Sequence, residues 1–237
     1  MNEMNTPKTA TQTAVILAAG KGTRMLPLTL ETPKPMLMSG GKNLIEWKLE
    51  LLPESVNEVV IVVGYLGDKI REYFGDEWRG KKMRYATQEV QDGTGGALWA
   101  AKELLPERFL VMMGDDLYGK DDVTHMLSCD FAIGGYKIKD GEATGGLITK
   151  DAEGNFNSIL EGTHQVDEGY ISTNLFMLRN ELFNYAPVQI PGRSEFGLPH
   201  TLLAVAKDRK VPLVEVKEWF QITAPEDLLR AEKEFLS

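Results

Sequence analysis

The sequence contains one cysteine and three scattered histidines, so it lacks the residues from which disulfide frameworks and zinc clusters are built. Cys129 has no second cysteine in the chain to pair with, and His125, His164 and His200 do not follow a metal-ligand spacing. We therefore expect no internal disulfide and no zinc site. This cysteine usage is typical of the cytoplasm.

Long apolar runs and an excess of positive charge are also missing. The longest apolar stretches, at 59–63 and 110–113, are far shorter than the ~20 residues of a membrane-spanning helix. Residues 1–12 lack the apolar centre of a secretory signal, and we expect them to form a disordered tail. The net charge of −9 opposes nonspecific binding to nucleic acid. These absences predict a cytoplasmic protein with neither membrane nor nucleic acid as partner.

The pattern of apolar residues predicts an α/β fold in one domain at 13–237, with a first half at 13–128 and a second at 129–237. In the first half, strands and helices alternate, as in βαβ units around a mainly parallel sheet. Strands are predicted there at 13–19, 57–64, 83–88 and 108–116, and helices at 43–52, 68–74 and 95–105. The second half is expected to contain short strands with glycine-rich turns at 131–138, 145–150, 155–161 and 170–178, then helices at 198–207 and 225–235 around a strand at 211–216. Thr223 and Glu226 have the spacing of a capping box at the last helix.

The loop after the first strand, "LAAGKGTRMLPLTLETPKP" at 17–35, concentrates positive charge in an acidic protein. It carries Lys21, Arg24 and Lys34 with a single acid, Glu31, which points to a small anionic ligand. The loop does not match a dinucleotide-binding GxGxxG, because Met25 occupies the third glycine position. A Walker A loop is also excluded, since the Gly-Lys pair at 41–42 is followed by asparagine and none of the other Gly-Lys pairs is followed by serine or threonine.

Three separate segments place polar residues or glycine directly after predicted strands. Gly20 follows the first strand, Gln88 the third and Asp115 the fourth. Ligands of open parallel sheets bind beyond the carboxyl ends of the strands. The three segments are therefore expected to meet in one crevice.

The motifs "Gly20-x-Gly22-Thr23-Arg24" and "Pro33-Lys34-Pro35" resemble the signature of the sugar nucleotidyltransferases, the sugar-1-phosphate pyrophosphorylases. The resemblance continues through "QEVQDGTGGAL" at 88–98, "LVMMGDDLYG" at 110–119, "RSEFGLP" at 193–199 and "WFQITAPEDL" at 219–228. Members with thymidylyl or uridylyl specificity are the most similar. The resemblance implies a Rossmann-like three-layer fold with a mainly parallel mixed sheet. It also implies attack of a sugar-1-phosphate on the α-phosphorus of a nucleoside triphosphate, with Mg²⁺ as cofactor and pyrophosphate as product.

The resemblance assigns the nucleotide site to residues after the first, third and fourth strands. Arg24 and Lys34 are the expected catalytic cations, because two anionic substrates must be brought together. Asp115 matches the family's magnesium-binding, catalytic aspartate, and Asp116 is expected to cap or to lie behind it. Gln88 and Gly93 match the pair that reads a pyrimidine edge. The predicted nucleotide-binding residues are Leu17, Ala18, Ala19, Gly20, Gly22, Thr23, Gln88, Gly93 and Thr94.

The sugar-phosphate site is assigned in the same way to Gly146, Glu161, Ser172 and Arg193. This chain departs from the family there, because Gly162-Thr163 replaces a Lys-Pro pair whose lysine binds the sugar phosphate. Ser172-Thr173-Asn174 replaces an Asn-x-Gly segment. Gln221 stands where a second metal ligand is normally Asp or Asn, and its amide oxygen is the predicted replacement.

The sequence predicts a nucleotidyltransferase that uses UTP in preference to dTTP, because Thr94 rather than leucine follows Gly93. A hexose or N-acetylhexosamine phosphate is the favoured second substrate, a homo-oligomer is compatible with the sequence, and no attached acetyltransferase is expected. One alternative is a CTP-dependent cytidylyltransferase acting on phosphocholine or a similar phosphate. Another is a regulatory subunit that binds nucleotide-sugars with weak catalysis.

Overall fold

The computed structural model describes residues 12–236. The predicted tail therefore lies outside the described residues, except for Gln12, which begins the first strand. The strands are β1 Gln12–Ala18, β2 Met38–Ser39, β3 Lys42–Asn43, β4 Val56–Val63, β5 Glu77–Trp78, β6 Lys81–Thr87, β7 Arg108–Met113, β8 Asp116–Tyr118, β9 Ala132–Lys150, β10 Phe156–Arg179, β11 Leu213–Val216 and β12 Trp219–Gln221. The α-helices are α1 Leu44–Leu51, α2 Gly67–Phe74, α3 Gly93–Ala100, α4 Lys120–Ser128, α5 Leu198–Val205 and α6 Pro225–Glu234.

An eight-stranded sheet in the order β11-β9-β10-β7-β1-β4-β6-β5 forms the centre of the fold. Strands β7, β1, β4 and β6 run parallel to one another. Strand β10 runs antiparallel to β7 and β9, and β5 runs antiparallel to β6. Two-stranded ribbons, β12-β8 and β2-β3, lie outside this sheet. The predicted α/β fold with a mainly parallel mixed sheet is confirmed.

Alternate residues of β1 contribute to two hydrophobic clusters, as the two-residue period of a strand requires. Ile16 belongs to the cluster that contains Ile45 of α1 and Ile70 of α2. Leu17 belongs to the cluster that contains Leu98 of α3 and Leu202 of α5. Helices therefore cover both faces of the sheet, which explains the continuous apolar sequence of β4.

The second half differs from the prediction of short strands. Two long strands, β9 and β10, pair antiparallel from Ala132↔Met177 to Lys150↔Phe156. The expected turn near Gly141 is absent there, because Gly141 pairs with Val166 and the ladder continues past it. Helix α4 was not predicted, and α3 ends at Ala100 instead of extending to residue 105. Among residues 12–236, no helix is both long and apolar enough to cross a membrane.

The predicted capping box of the last helix is wrong by one residue at both positions, because the N-cap is Ala224 and the third helical residue is Asp227. The carboxylate of Asp227, not that of Glu226, accepts hydrogen bonds from the backbone N–H groups of Thr223 and Ala224 at 2.8 and 2.9 Å. The Thr223 hydroxyl donates to the same oxygen at 2.9 Å. The helix begins one residue later than the spacing suggested, so the third helical position falls on Asp227.

Candidate active site

The carboxyl ends of β1, β4, β6 and β7 bring the predicted nucleotide-site segments together. The backbone N–H of Gly114, after β7, donates to the carbonyl of Leu17 at 2.8 Å, and the N–H of Gln88, after β6, donates to that of Val63 at 2.8 Å. Segments that are far apart in sequence therefore lie along one edge of the sheet. Two adjoining clefts open at this edge.

The first, the β1–β7 cleft, has a volume of about 200 Å³. It is lined by Leu17, Ala18, Gly20, Gly22, Thr23, Arg24, Met25, Lys34, Pro35, Met113 and Asp115. The second, the β1–β6 cleft, has a volume of about 310 Å³. It is lined by Leu17, Ala19, Gly20, Lys21, Gly22, Thr23, Gln88, Gln91, Gly93, Thr94, Ala97, Met113 and Glu195.

The opening loop folds so that Gly22 packs against Lys34. Gly22 has a left-handed φ of 62°, and a Cβ placed on it would lie 2.8 Å from the Cβ of Lys34. The Thr29 hydroxyl donates to the carbonyl of Gly22 at 2.9 Å. Lys34 begins a 3-10 turn at Lys34–Met36, after an extended Pro33.

The ammonium of Lys34 is held between two groups from other parts of the chain. Its Nζ lies 2.5 Å from Oδ2 of Asp115 and 2.5 Å from the carbonyl oxygen of Ile222. The Lys34 side chain is only 8% exposed, whereas that of Asp115 is 26% exposed and lines the β1–β7 cleft. An ammonium has three N–H donors, so one remains for a ligand in this cleft.

Arg24 and Lys21 add exposed positive charge at the clefts. Neither has a hydrogen-bond or ion-pair partner within residues 12–236. Arg24 lines the β1–β7 cleft and Lys21 the β1–β6 cleft. Unpaired cations beside Lys34 create a site that favours a multiply charged anion.

Behind Asp115 lie two buried titratable side chains, those of Asp116 and Lys48. Asp116 is 3% exposed and accepts a hydrogen bond from the Trp219 indole at 3.1 Å. Burial raises the pKa of Asp116 to about 7, and the charge of Asp115 acts in the same direction. Lys48 of α1 is fully buried, and burial lowers its pKa to about 8 against the opposing charges of Asp115 and Asp116. Asp116 thus lies behind Asp115, on the protein side of the cleft.

Asp115 provides a carboxylate at an open cleft, which suits Mg²⁺ because this ion takes one or two protein carboxylates together with substrate phosphates and water. Within residues 12–236, no three His, Cys, Asp or Glu side chains are grouped to hold a metal by themselves. Gln221 is exposed in β12, where it pairs in register with Asp116, and it does not line the two clefts. The donor set therefore fits a metal shared with a phosphate ligand.

In the β1–β6 cleft, Gln88 is 7% exposed and fixed by its neighbours. Its amide nitrogen donates to Asp92 Oδ1 at 2.8 Å and to the carbonyl of Gly93 at 3.1 Å. The amide oxygen of Gln88 is left as an acceptor for a ligand. The hydroxyl of Thr94 accepts from the N–H of Leu198 at 2.9 Å, which ties α3 to the start of α5.

Gly93 is the position where this cleft needs a glycine. It has a φ of 98°, and a Cβ placed on it would lie 2.4 Å from the carbonyl oxygen of Phe196. The 193–197 segment therefore packs directly on the start of α3. This contact also brings Glu195 to the cleft.

The predicted sugar-site residues lie apart from the two clefts. Within the described chain, neither cleft is lined by Gly146, Glu161, Ser172 or Arg193. Gly146 and Glu161 face each other across β9 and β10, and Ser172 is buried in β10. Arg193 is half-exposed, with Nη1 4.0 Å from Oε2 of Glu195.

Two polar residues near the site were missed by sequence reasoning. Lys48 lies on the apolar face of α1 with the buried Leu44 and Leu49. A lysine at an apolar position of a helix was the sequence feature that could have identified it. His200 lies in α5 with Nδ1 3.9 Å from Oε1 of Glu161. A lone histidine in an apolar helix gave no indication of this contact.

The sequence matches the nucleotidyl transferase family over residues 13–237. The chain belongs to this family, and the resemblance to sugar nucleotidyltransferases is confirmed. It is 33% identical to the bifunctional protein GlmU of Methanococcus maripaludis, over 94% of this chain and 54% of that protein. It is also 28% identical to the UTP–glucose-1-phosphate uridylyltransferase AglF of Haloferax volcanii, over 93% of this chain and 95% of that protein. The chain thus spans about half the length of the GlmU relatives and nearly all of AglF.

Solved structures show the same fold. The crystal structure of HddC from Yersinia pseudotuberculosis aligns with a TM-score of 0.72 at 24% identity. The alignment covers 94% of this chain and 99% of that chain. A second structure of HddC, in complex with GMP-PN, aligns with a TM-score of 0.69.

Proposed function

We propose that the protein is a magnesium-dependent nucleotidyltransferase that makes a nucleotide-sugar and pyrophosphate from UTP and a sugar-1-phosphate. The observation that carries this proposal is the meeting of Arg24, Lys34 and Asp115 in one cleft beside Gln88 and Gly93. Cations and a carboxylate suit a triphosphate with its metal, and the amide with its adjoining backbone suits a base. One nucleotide spans both clefts in this proposal.

The protein's contribution to the reaction is charge balance and alignment. Arg24 binds phosphate oxygens with its planar guanidinium, and Lys34 holds the α-phosphate with the N–H that Asp115 and Ile222 leave free. Holding two phosphates in line removes much of the entropic cost of their encounter. Asp115, with Gln221 assigned as the second oxygen ligand, would hold Mg²⁺, which would supply positive charge to neutralise the triphosphate.

The choice of a uracil or thymine base rests on the β1–β6 cleft, and the preference for UTP over dTTP rests on Thr94 within it. The amide oxygen of Gln88 can accept from the N3–H of uracil, since its nitrogen is occupied by Asp92 and Gly93. Thr94 follows Gly93 where the thymidylyl members have leucine. The printed activity of AglF, a uridylyltransferase, supports the same nucleotide.

For the second substrate we propose a hexose or N-acetylhexosamine 1-phosphate. Gly146, Glu161 and Ser172 are assigned to the sugar, and Arg193 to its phosphate. The name of AglF supports glucose-1-phosphate as the first candidate. A relative from Sulfurisphaera tokodaii, 28% identical, is named a bifunctional sugar-1-phosphate nucleotidylyltransferase/acetyltransferase, which supports the wider class.

Pyrophosphate release tests this proposal directly. The protein is incubated with Mg²⁺, one of ATP, GTP, CTP, UTP or dTTP, and glucose-1-phosphate, N-acetylglucosamine-1-phosphate, mannose-1-phosphate or phosphocholine. We expect the highest kcat/KM with UTP and a sugar phosphate, and Asp115→Asn serves as the inactive control. Turnover with CTP and phosphocholine alone would establish the cytidylyltransferase alternative. Tight nucleotide-sugar binding without release in any pair would establish the regulatory alternative.

A further inference from the structure

A buried histidine stands behind the proposed sugar site. His200, in the first turn of α5, is 7% exposed, and its Nδ1 has neither solvent contact nor a hydrogen-bond partner within residues 12–236. The ring is packed closely, because a Cβ placed on Gly197 would lie 2.4 Å from Nδ1. Buried polar atoms without partners are rare in native proteins, so this nitrogen calls for a physical explanation.

The group that Nδ1 faces is the carboxylate of Glu161. The distance from Nδ1 to Oε1 of Glu161 is 3.9 Å, which is about 1 Å longer than a hydrogen bond. The same oxygen lies beside Gly146, 3.4 Å from the position of a Cβ on that glycine. Oε1 of Glu161 therefore lies between Gly146 of β9 and His200 of α5, and a quarter of the Glu161 side chain is exposed to solvent.

The charge environment keeps His200 in its neutral form at neutral pH. Burial lowers the pKa of His200, the negative charge of Glu161 opposes this, and the positive charge of Arg193 adds to it. A neutral imidazole carries one N–H, which can lie on Nδ1 and point at a carboxylate.

We propose that His200 is a positioning residue that orients the Glu161 carboxylate towards the sugar hydroxyls. This inference rests on the proposed function, in which Glu161 binds the sugar. Hydrogen bonds of working sites are often long without substrate and tighten in the complex. A closure of about 1 Å between β10 and α5 satisfies Nδ1, fixes one carboxylate oxygen and leaves the other for the sugar.

Kinetics of variants at His200 and Glu161 test the positioning role. We expect His200→Leu to raise the KM for the sugar-1-phosphate by about 10- to 100-fold, because a hydrogen bond to a charged group is lost, while the KM for UTP stays unchanged. His200→Asn should recover part of this effect, since its amide keeps a polar atom in the cavity. Adding His200→Leu to Glu161→Gln should cost nothing further. His125→Asn, on the exposed face of α4, is the matched control.

A binding measurement separates this inference from the proposed function. The three histidines give three Cε1–H signals in ¹³C–¹H NMR spectra. We expect glucose-1-phosphate or N-acetylglucosamine-1-phosphate, added with a non-hydrolysable UTP analogue, to move the His200 signal in the wild type but not in Glu161→Gln. If this signal moves but no turnover is observed, the proposed reaction is wrong and the positioning role is supported. Turnover with equal KM values in wild type and a folded His200→Leu, or a His200 signal as static as that of His125, would overturn the positioning role.

Discussion

Lys34→Ala tests the centre of the proposed site, because the Lys34 ammonium joins three segments of the chain. Its loss removes the bonds to Asp115 and Ile222 and the donor assigned to the α-phosphate. Deleting one electrostatic stabiliser of a transition state costs about 10²–10³ in kcat, and we expect a loss of this size. Breaking a fully buried ion pair costs about 3–5 kcal/mol. Since Asp115 is 26% exposed and can be hydrated, we expect the free energy of unfolding to fall by only about 1–3 kcal/mol.

Pyrophosphate release and urea unfolding measure the two effects separately. Lys82→Ala is the matched control, because Lys82 is an exposed lysine of β6 whose ammonium lies 3.8 Å from Glu58. We expect this control to keep both activity and stability. A folded Lys34→Ala protein with wild-type kcat would refute the assignment of Lys34 to the α-phosphate. A wild-type unfolding free energy would refute the stabilising role of the Lys34–Asp115 pair.

Three further substitutions test the β1–β6 cleft and helix α6. Gln88→Ala removes the acceptor that we assign to uracil, so the ratio of kcat/KM for UTP to that for CTP should fall by about tenfold; an unchanged ratio would remove Gln88 from base reading. In Gly93→Ala, a φ of 98° strains the alanine backbone, and the new Cβ would lie 2.4 Å from the carbonyl oxygen of Phe196. The free energy of unfolding measured in urea should therefore fall by at least about 1–3 kcal/mol, and wild-type stability would contradict this. Asp227→Asn should cost about 1 kcal/mol at neutral pH, whereas the neighbouring Glu226→Gln should cost nothing. Burial raises the pKa of Asp227, but hydrogen bonds from Thr223 and Ala224 outweigh it and hold the pKa below its ordinary value. The wild type should therefore lose this stability as pH falls from about 4 through the lower folded pKa, and equal acid unfolding of wild type and Asp227→Asn would count against the assignment.

The main strands and helices of the first half, other than α4, were predictable because their signals are local. The apolar runs of β1, β4 and β7 and the apolar pattern of α2 each determine one element, and βαβ geometry then orders them. In the second half, β11, α5 and α6 were predicted. The length of β9 and β10 was not, because glycines that usually mark turns lie inside β9, where pairing with β10 continues across them. Pairing between distant segments overrode the local preference.

In the candidate site, too, local signals were predictable and contacts between distant residues were not. Gly20, Gln88 and Asp115 were expected in one crevice because they follow parallel strands, and the structure places them along one edge. The pairing of Lys34 with Asp115 and of His200 with Glu161 depends on contacts between residues 81 and 39 positions apart in the chain. No local pattern carries such information.

We expect the choice of sugar phosphate to depend on the segment between the β1–β6 cleft and α5. The reason is that Gly162 replaces the lysine that binds the sugar phosphate in similar proteins. A hydrogen bond from the N–H of Ile190 to the carbonyl of Glu195 closes the 190–196 loop. The N–H of Phe196 donates to the carbonyl of Asp92, beside the β1–β6 cleft. This loop carries Arg193, the cation that we assign to the sugar phosphate. A change in the loop should therefore alter the KM values of both substrates together, whereas a change at His200 should alter that of the sugar phosphate alone.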